Sequence, residues 1–315
     1  MEYLFLILYL AGIVFGADHL VGGAVSVARR FRVSDFVIGA AIVGVGTSMP
    51  ELTVSFLGAL KGNPDVAIGN VIGSNIFNVL GILGLTAVLC PIFIDQRNLK
   101  FEIPLCTGVS ILLTLLAFNF FNGSNPSVGR VDGILLLALF AAFMWVSFTR
   151  DRKDISLTVE RVEETVPLWK SLVRVVGGLV LLIASCDLFV DNAVSIAKSL
   201  GVNDAYISLT LIACGTSLPE LAASLAAAFK KHTDLALGNI IGSNIFNITL
   251  ILGLSSQAAP LTTTGITLLD YLVMIAAVLL VLVYGLRGTI GRVSGVLMLA
   301  FFCIYNWYLS TSHLA

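Results

Sequence analysis

Residues 46–56 read GTSMPELTVSF, and residues 215–225 read GTSLPELAASL. Each stretch sets a carboxylate, Glu51 or Glu220, next to a proline, Pro50 or Pro219, inside an apolar run. A carboxylate at membrane depth costs at least ~2.5 kcal/mol, so two of them call for a function. Pro50 has no N–H, which deprives the Gly46 carbonyl of its helical donor and kinks or breaks the helix. Ser48 with Glu51 three residues on matches a capping box, and the pattern predicts that a new helix starts there. A break in hydrocarbon is tolerated only where the freed backbone faces protein or a water-filled cavity. Thr47 and Glu51, four apart, share a face, with Ser48 alongside. Carboxylate, hydroxyls and unpaired carbonyls make a set of hard oxygens, the ligands that Na+ and Ca2+ prefer.

A second block, GNVIGSNIFN at 69–78, returns as GNIIGSNIFN at 238–247. Ser74 and Asn78 are again four apart, as are Ser243 and Asn247. Gly69 and Gly73 on the preceding turn are expected to let a neighbouring helix approach closely. Two-fold pseudosymmetry would bring Thr47, Ser48, Glu51, Ser74 and Asn78 to face Thr216, Ser217, Glu220, Ser243 and Asn247. That is enough oxygen for a shell of roughly six to eight ligands. Blander readings stay open residue by residue. Glu51 can be a capping acid alone, although a neutral glutamine would cap as well without the cost of a charge. The hydroxyls can back-bond to carbonyls one turn earlier, and the asparagines can join helices without touching an ion. Asp18 and its equivalent Asp187 are either ion-path residues or polar residues near the end of a span.

The elements that must position these groups are legible in the composition. Of 315 residues, 57% are hydrophobic and 12% charged, with mean hydropathy +0.99. A soluble chain carries roughly 25% charge, so the sequence is that of an all-α polytopic membrane protein. A net charge of −1 argues against a nucleic-acid surface. Apolar runs long enough to cross a bilayer fall at about 3–27, 36–60, 66–90, 103–121, 131–149, 172–197, 205–229, 234–256, 268–286 and 293–311. The long polar connection at 150–170 separates five spans in 1–149 from five in 171–315. The apolar N-terminus is not read as a signal peptide, because Glu2 stands where a basic region belongs. Cys90, Cys106, Cys186, Cys214 and Cys303 are scattered and show neither metal nor disulfide spacing.

At an offset of 169, residues 46–84 match 215–253 without a gap at 23 of 39 positions. Such a match is a duplication. Five spans per half is an odd number, so the second copy must enter the membrane from the opposite side, which predicts an inverted 5+5 repeat with broken core helices. Charge distribution gives an independent check. With the N-terminus outside, fifteen of the 18 Lys and Arg residues fall in cytoplasmic connections, and only Lys61, Arg130 and Lys198 lie outside. Both termini are therefore expected outside the cytoplasm and the linker within it.

On these paired blocks the sequence resembles the Ca2+:cation antiporter superfamily, in its prokaryotic sodium/calcium exchanger branch. The resemblance extends over essentially the whole chain. It implies ten helices in an inverted arrangement and ion ligands at the ten side chains named above. It adds backbone carbonyls one turn before each threonine, at Gly44 and Ala213. Some members, notably the potassium-dependent exchangers, have Asp where Asn247 stands, whereas both halves carry Asn here, which argues against potassium co-transport. The acidic GNxxE motif usual in proton-coupled members is absent.

The expected function is secondary antiport of Na+ against Ca2+. One Ca2+ would bridge Glu51 and Glu220, and several Na+ ions would compete for the same oxygens. The family's usual three-for-one exchange would make transport electrogenic, with access alternating as spans 3–27 and 172–197 slide across the core. The expected setting is the plasma (inner) membrane, in contact with the lipid bilayer, as a monomer without a cofactor; Ca2+ and Na+ are cargo. Alternatives are proton-coupled exchange of Ca2+ or another divalent cation and, less well supported, a cation channel. A membrane hydrolase lacks HExxH, and His19, His232 and His313 stand far from the motif.

Overall fold

The computed structural model describes residues 2–31, 33–118, 127–155, 166–199, 215–262 and 266–312. Among these the fold is helical apart from four two-residue strands. Among the described residues eight helices are long and apolar enough to cross a membrane, or nine if one bent pair counts as a single span. The straight ones include α1 (Glu2–Phe31), α6 (Glu102–Ala117), α7 (Arg130–Ile155), α8 (Leu168–Ser199), α11 (Leu268–Gly285) and α12 (Arg292–Ser312). A short helix α5 (Gln96–Lys100) precedes α6. The bent pair is α2 (Asp35–Thr47) and α3 (Met49–Leu60), which meet at 49°.

The first repeated block lies at the bend between α2 and α3 and, in its second copy, at the start of α9 (Leu218–Phe229); the second block lies on α4 (Pro64–Leu89) and on α10 (Thr233–Ala258). The span expected over 205–229 is described only from residue 215 onward, so Ala213 lies outside the described residues. Part of the expected linker is helical, since α7 runs on to Ile155 and α8 starts at Leu168.

Local chemistry explains the ends. Ser34 caps α2 by accepting from the Val37 N–H at 3.3 Å, and Pro64 opens α4 where its missing N–H is harmless. Asp270 closes a capping box with Thr267 at the start of α11, and Tyr305 of α12 donates to its other oxygen at 2.7 Å. The turn after α3 is a Schellman motif: Asn63 N–H reaches the Gly58 carbonyl and Gly62 N–H the Ala59 carbonyl. Gly62 sits at φ +77°. The equivalent turn after α9 repeats both bonds, yet its left-handed position is occupied by Lys231 at φ 66°.

Among the described residues three helices contain wider π-helical turns, at Gly39–Gly44, Phe77–Leu83 and Asn247–Ile251. Two of the three start at or beside the asparagines singled out above.

The chain forms two compact units. Unit 1 comprises Met1–Thr53 and Leu139–Ser243, and unit 2 comprises Val54–Ala138 and Asn244–Ala315. In unit 1, α1 and α8 pack along their lengths with glycine at the seam. A Cβ at Gly16 would stand 2.7 Å from the Leu182 nitrogen, and one at Gly178 2.5 Å from the Leu20 nitrogen. Close helix approach also occurs at Gly238 and Gly242 of α10, where a side chain would run into the backbone of Phe36 and Ala40 on α2. Among the described residues, a Cβ at Gly69 would meet the Ile266 side chain and one at Gly73 would meet nothing within 4 Å; positions 205 and 209, the equivalents of Phe36 and Ala40, lie outside the described residues.

Unit 2 packs α4, α6, α11 and α12 around a core that includes Ile72, Ile76, Leu80, Leu83, Tyr271 and Met298. Two antiparallel ribbons join its connections. β1 (Ile92–Phe93) pairs with β4 (Thr289–Ile290), and β2 (Ser127–Val128) pairs with β3 (Leu261–Thr262).

Candidate functional site

Both helix breaks fall on the serine of the repeated motif. Ser48 stands at φ −83°, ψ 10° and Ser217 at φ −93°, ψ 7°, in the sparsely populated bridge region, and each is followed directly by a helix carrying the proline and the glutamate. The expected start of a helix at this point is found in both copies. Ser217 makes no capping bond with its own helix. Instead Ser48 Oγ donates to Glu220 Oε1 at 2.7 Å, and Ser217 Oγ donates to Glu51 Oε1 at 2.8 Å. The hydroxyl of each copy serves the carboxylate of the other.

All of this is out of solvent. Thr47, Ser48, Glu51, Ser217 and Glu220 are 0% exposed. Glu220 Oε2 is buried with no hydrogen-bond partner among the described residues, and so is the Thr216 hydroxyl. Thr47 Oγ1 donates toward the Val43 carbonyl at 3.0 Å, the back-bond that the blander reading anticipates, and toward Asn239 Oδ1 at 3.3 Å. Its proton therefore points away from its lone pairs, which stay available to a cation. Ser243 Oγ donates to the Gly44 carbonyl at 3.3 Å, the same carbonyl that accepts from Ser48 N–H at 3.1 Å. Unit 1 thus gathers Gly44, Thr47, Ser48, Glu51, Thr216, Ser217, Glu220 and Ser243.

Unit 2 holds Ser74, Asn78 and Asn247, all buried. Asn78 Nδ2 donates to Asn244 Oδ1 at 3.1 Å and Asn247 Nδ2 to Asn75 Oδ1 at 3.0 Å. Both asparagines therefore join helices, as the blander reading has it, while their side-chain oxygens remain buried and without a hydrogen-bond partner among the described residues.

Three asparagines matter that the motif reading passed over. Asn75 and Asn244 occupy equivalent positions, beside Ser74 and Ser243. Asn239 fastens α10 to α9 in unit 1, donating to the Glu220 carbonyl at 3.2 Å and to Ser224 Oγ at 2.8 Å. Its equivalent Asn70 bonds Ser55, the equivalent of Ser224, at 3.0 Å. The signal was present: all three are identical between the copies, like the residues that were chosen. Asp18, by contrast, is occupied by Lys230 at 2.7 Å.

Among the described residues no three His, Cys, Asp or Glu side chains form a metal-binding group. What is available is a pair of carboxylates with neutral oxygens, a ligand set suited to weakly held, exchangeable hard cations rather than to a tightly bound transition metal.

Long apolar helices, one pair of them bent at a polar motif, with two buried carboxylates among neutral oxygens, are the elements of a membrane transporter of cations. The family model described as sodium/calcium exchanger protein matches residues 1–149 and 170–311. The putative antiporter CaxA of Alkalimonas amylolytica is 41% identical over 320 residues, covering 98% of each chain. The sodium/calcium exchanger MaX1 of Methanosarcina acetivorans is 31% identical over 342 residues, covering 97% of each. A solved structure of the sodium-calcium exchanger NCX_Mj, soaked with zero Na+ and Ca2+, superposes with a TM-score of 0.85 at 33% identity over 98% of both chains. The chain belongs to the sodium/calcium exchanger family.

Proposed function

We propose that the protein is a secondary antiporter that exchanges Na+ for Ca2+ by alternating access, electrogenically and without K+. The observation that supports this best is the reciprocal pair of bonds from Ser48 to Glu220 and from Ser217 to Glu51. Two carboxylates held in this way offer a formal charge of −2, which one Ca2+ neutralises and several Na+ ions can contest. In this reading Gly44, Thr47, Ser48, Glu51, Thr216, Ser217, Glu220 and Ser243 supply charged and neutral oxygens. Ser74, Asn78 and Asn247 complete the set, and Ala213 contributes its carbonyl. Chain connectivity favours the combination, because Ser243 and Asn247 lie one turn apart on the same helix, α10.

The architecture that goes with this reading is ten spans in two inverted halves, 1–149 and 171–315, joined by a cytoplasmic linker at 150–170. Both termini lie outside the cytoplasm, the membrane is the plasma (inner) membrane, and the monomer is the transport unit. No cofactor takes part. Names borne by relatives such as MaX1 agree with the proposed cargo.

The test is Ca2+ uptake into sodium-loaded vesicles. Uptake collapses when the sodium gradient is removed. Uptake indifferent to sodium but driven by a pH gradient favours the proton-coupled alternative, and uptake without any counter-ion favours a channel.

A further inference from the structure

Four asparagines of unit 2 hold one another in a closed set of hydrogen bonds. Asn75 Nδ2 donates to the Asn244 carbonyl at 3.2 Å, and Asn244 Nδ2 returns the bond to the Asn75 carbonyl at 3.1 Å. The two side-chain oxygens left over each accept an amide proton, Asn75 Oδ1 from Asn247 Nδ2 at 3.0 Å and Asn244 Oδ1 from Asn78 Nδ2 at 3.1 Å. None of the four is more than 1% exposed.

An asparagine side chain has two nearly isosteric ends with opposite chemistry: an oxygen that accepts and an NH2 that donates. A cation is bound only by the oxygen, and an amide turned the other way would present protons to it. Asn247 and Asn78 have nothing in their own covalent structure to select one orientation. The neighbour selects it. Asn75 Oδ1 can receive only a donor, so the Asn247 nitrogen must face it, which turns Asn247 Oδ1 away from the network. Asn244 does the same to Asn78. The two oxygens released in this way are those buried without a hydrogen-bond partner among the described residues.

We propose that Asn75 and Asn244 are positioning residues that fix the polarity of the Asn247 and Asn78 amides, so that oxygen and not NH2 is offered to the transported cation. The inference rests on the reading of Asn78 and Asn247 as ion ligands. It has a distinctive corollary: a carboxylate at position 247 has no wrong end to orient and no proton to give Asn75 Oδ1, so beside Asp at 247 the Asn75 side chain no longer helps to present oxygen to the cation.

The experiment is a double-mutant cycle read as the KM for Ca2+ in proteoliposomes, with Asn75→Ala, Asn247→Asp and the two combined, and with Asn247→Ala as a check on the underlying reading. Asn75→Ala is expected to raise the KM about tenfold in the wild-type background and less than about twofold beside Asn247→Asp. An equal rise in both backgrounds overturns the proposal, because Asn75 then only holds helices together. A KM unchanged in Asn247→Ala removes the ligand reading itself, and the orienting role with it. If Asn75→Ala cannot be reconstituted as a monodisperse protein, the cycle of Asn244→Ala with Asn78→Asp decides by the same two outcomes.

Discussion

Ser48 donates its hydroxyl proton to Glu220, 172 positions further along the chain, at 2.7 Å. The mirror bond, Ser217 to Glu51 at 2.8 Å, makes the relationship reciprocal. A serine that donates to a carboxylate keeps its lone pairs free for a second partner. The same side chain can therefore steady the acid and present an oxygen to a cation.

Glu51→Gln and Glu220→Gln each remove half of the formal charge while leaving the shape almost unchanged. Loss of one member of a buried charged set costs about 3–5 kcal/mol, so sodium-dependent Ca2+ uptake is expected to fall at least about a hundredfold in either variant. Isotope uptake into reconstituted vesicles checks this. Activity near that of the wild type in either would remove the carboxylates from the site.

Ser48→Ala deletes the donor to Glu220 without disturbing Glu51 directly. A hydrogen bond to a charged group contributes about 1.5–3 kcal/mol. The expected result is a ten- to hundredfold rise, roughly, in the KM for Ca2+, with Ser217→Ala giving a similar value by reciprocity. A strong effect from only one serine would show that the two carboxylates are not used alike.

Exchange that moves net charge must respond to voltage, by about 2.3 kcal/mol per charge per 100 mV. An imposed diffusion potential is expected to speed or slow Ca2+ uptake according to its sign, and complete omission of K+ from both compartments to leave the rate unchanged when another cation sets the potential. A requirement for K+ would contradict the absence of a third acid at Asn247.

Lys231 occupies a left-handed backbone position that its repeat equivalent fills with Gly62. A side chain there costs roughly 1–2 kcal/mol. Lys231→Gly is expected to raise the melting temperature in detergent while leaving the KM for Ca2+ unchanged; a lower melting temperature would mean that the Lys231 side chain contributes more than its backbone strain costs.

The helices were legible because hydrophobic runs interrupted by charge leave few alternatives in a chain 57% apolar. The expected span at 268–286 is the helix Leu268–Gly285, and that at 293–311 is Arg292–Ser312. Glu51 and Glu220 were legible from their cost in hydrocarbon. What escaped was tertiary. Ser48 and Glu51 have the spacing of a capping box, but the Ser48 hydroxyl also donates to Glu220 of the other copy, and no window of local sequence contains that partner. Asn75 was passed over because attention went to residues four apart, whereas Asn75 and Asn78 are three apart, an equally good facing distance on a helix. The π-helical turn beginning at Phe77 then shifts the register of everything after it, and nothing in the composition of that segment announces the shift.

Where Gly16 meets Leu182 and Gly178 meets Leu20, main chain lies against main chain. Side chains ordinarily act as cogs between two helices; none intervene here. A side chain at either glycine would force the two rods apart, so the closeness of this seam is written into the residue that has no side chain.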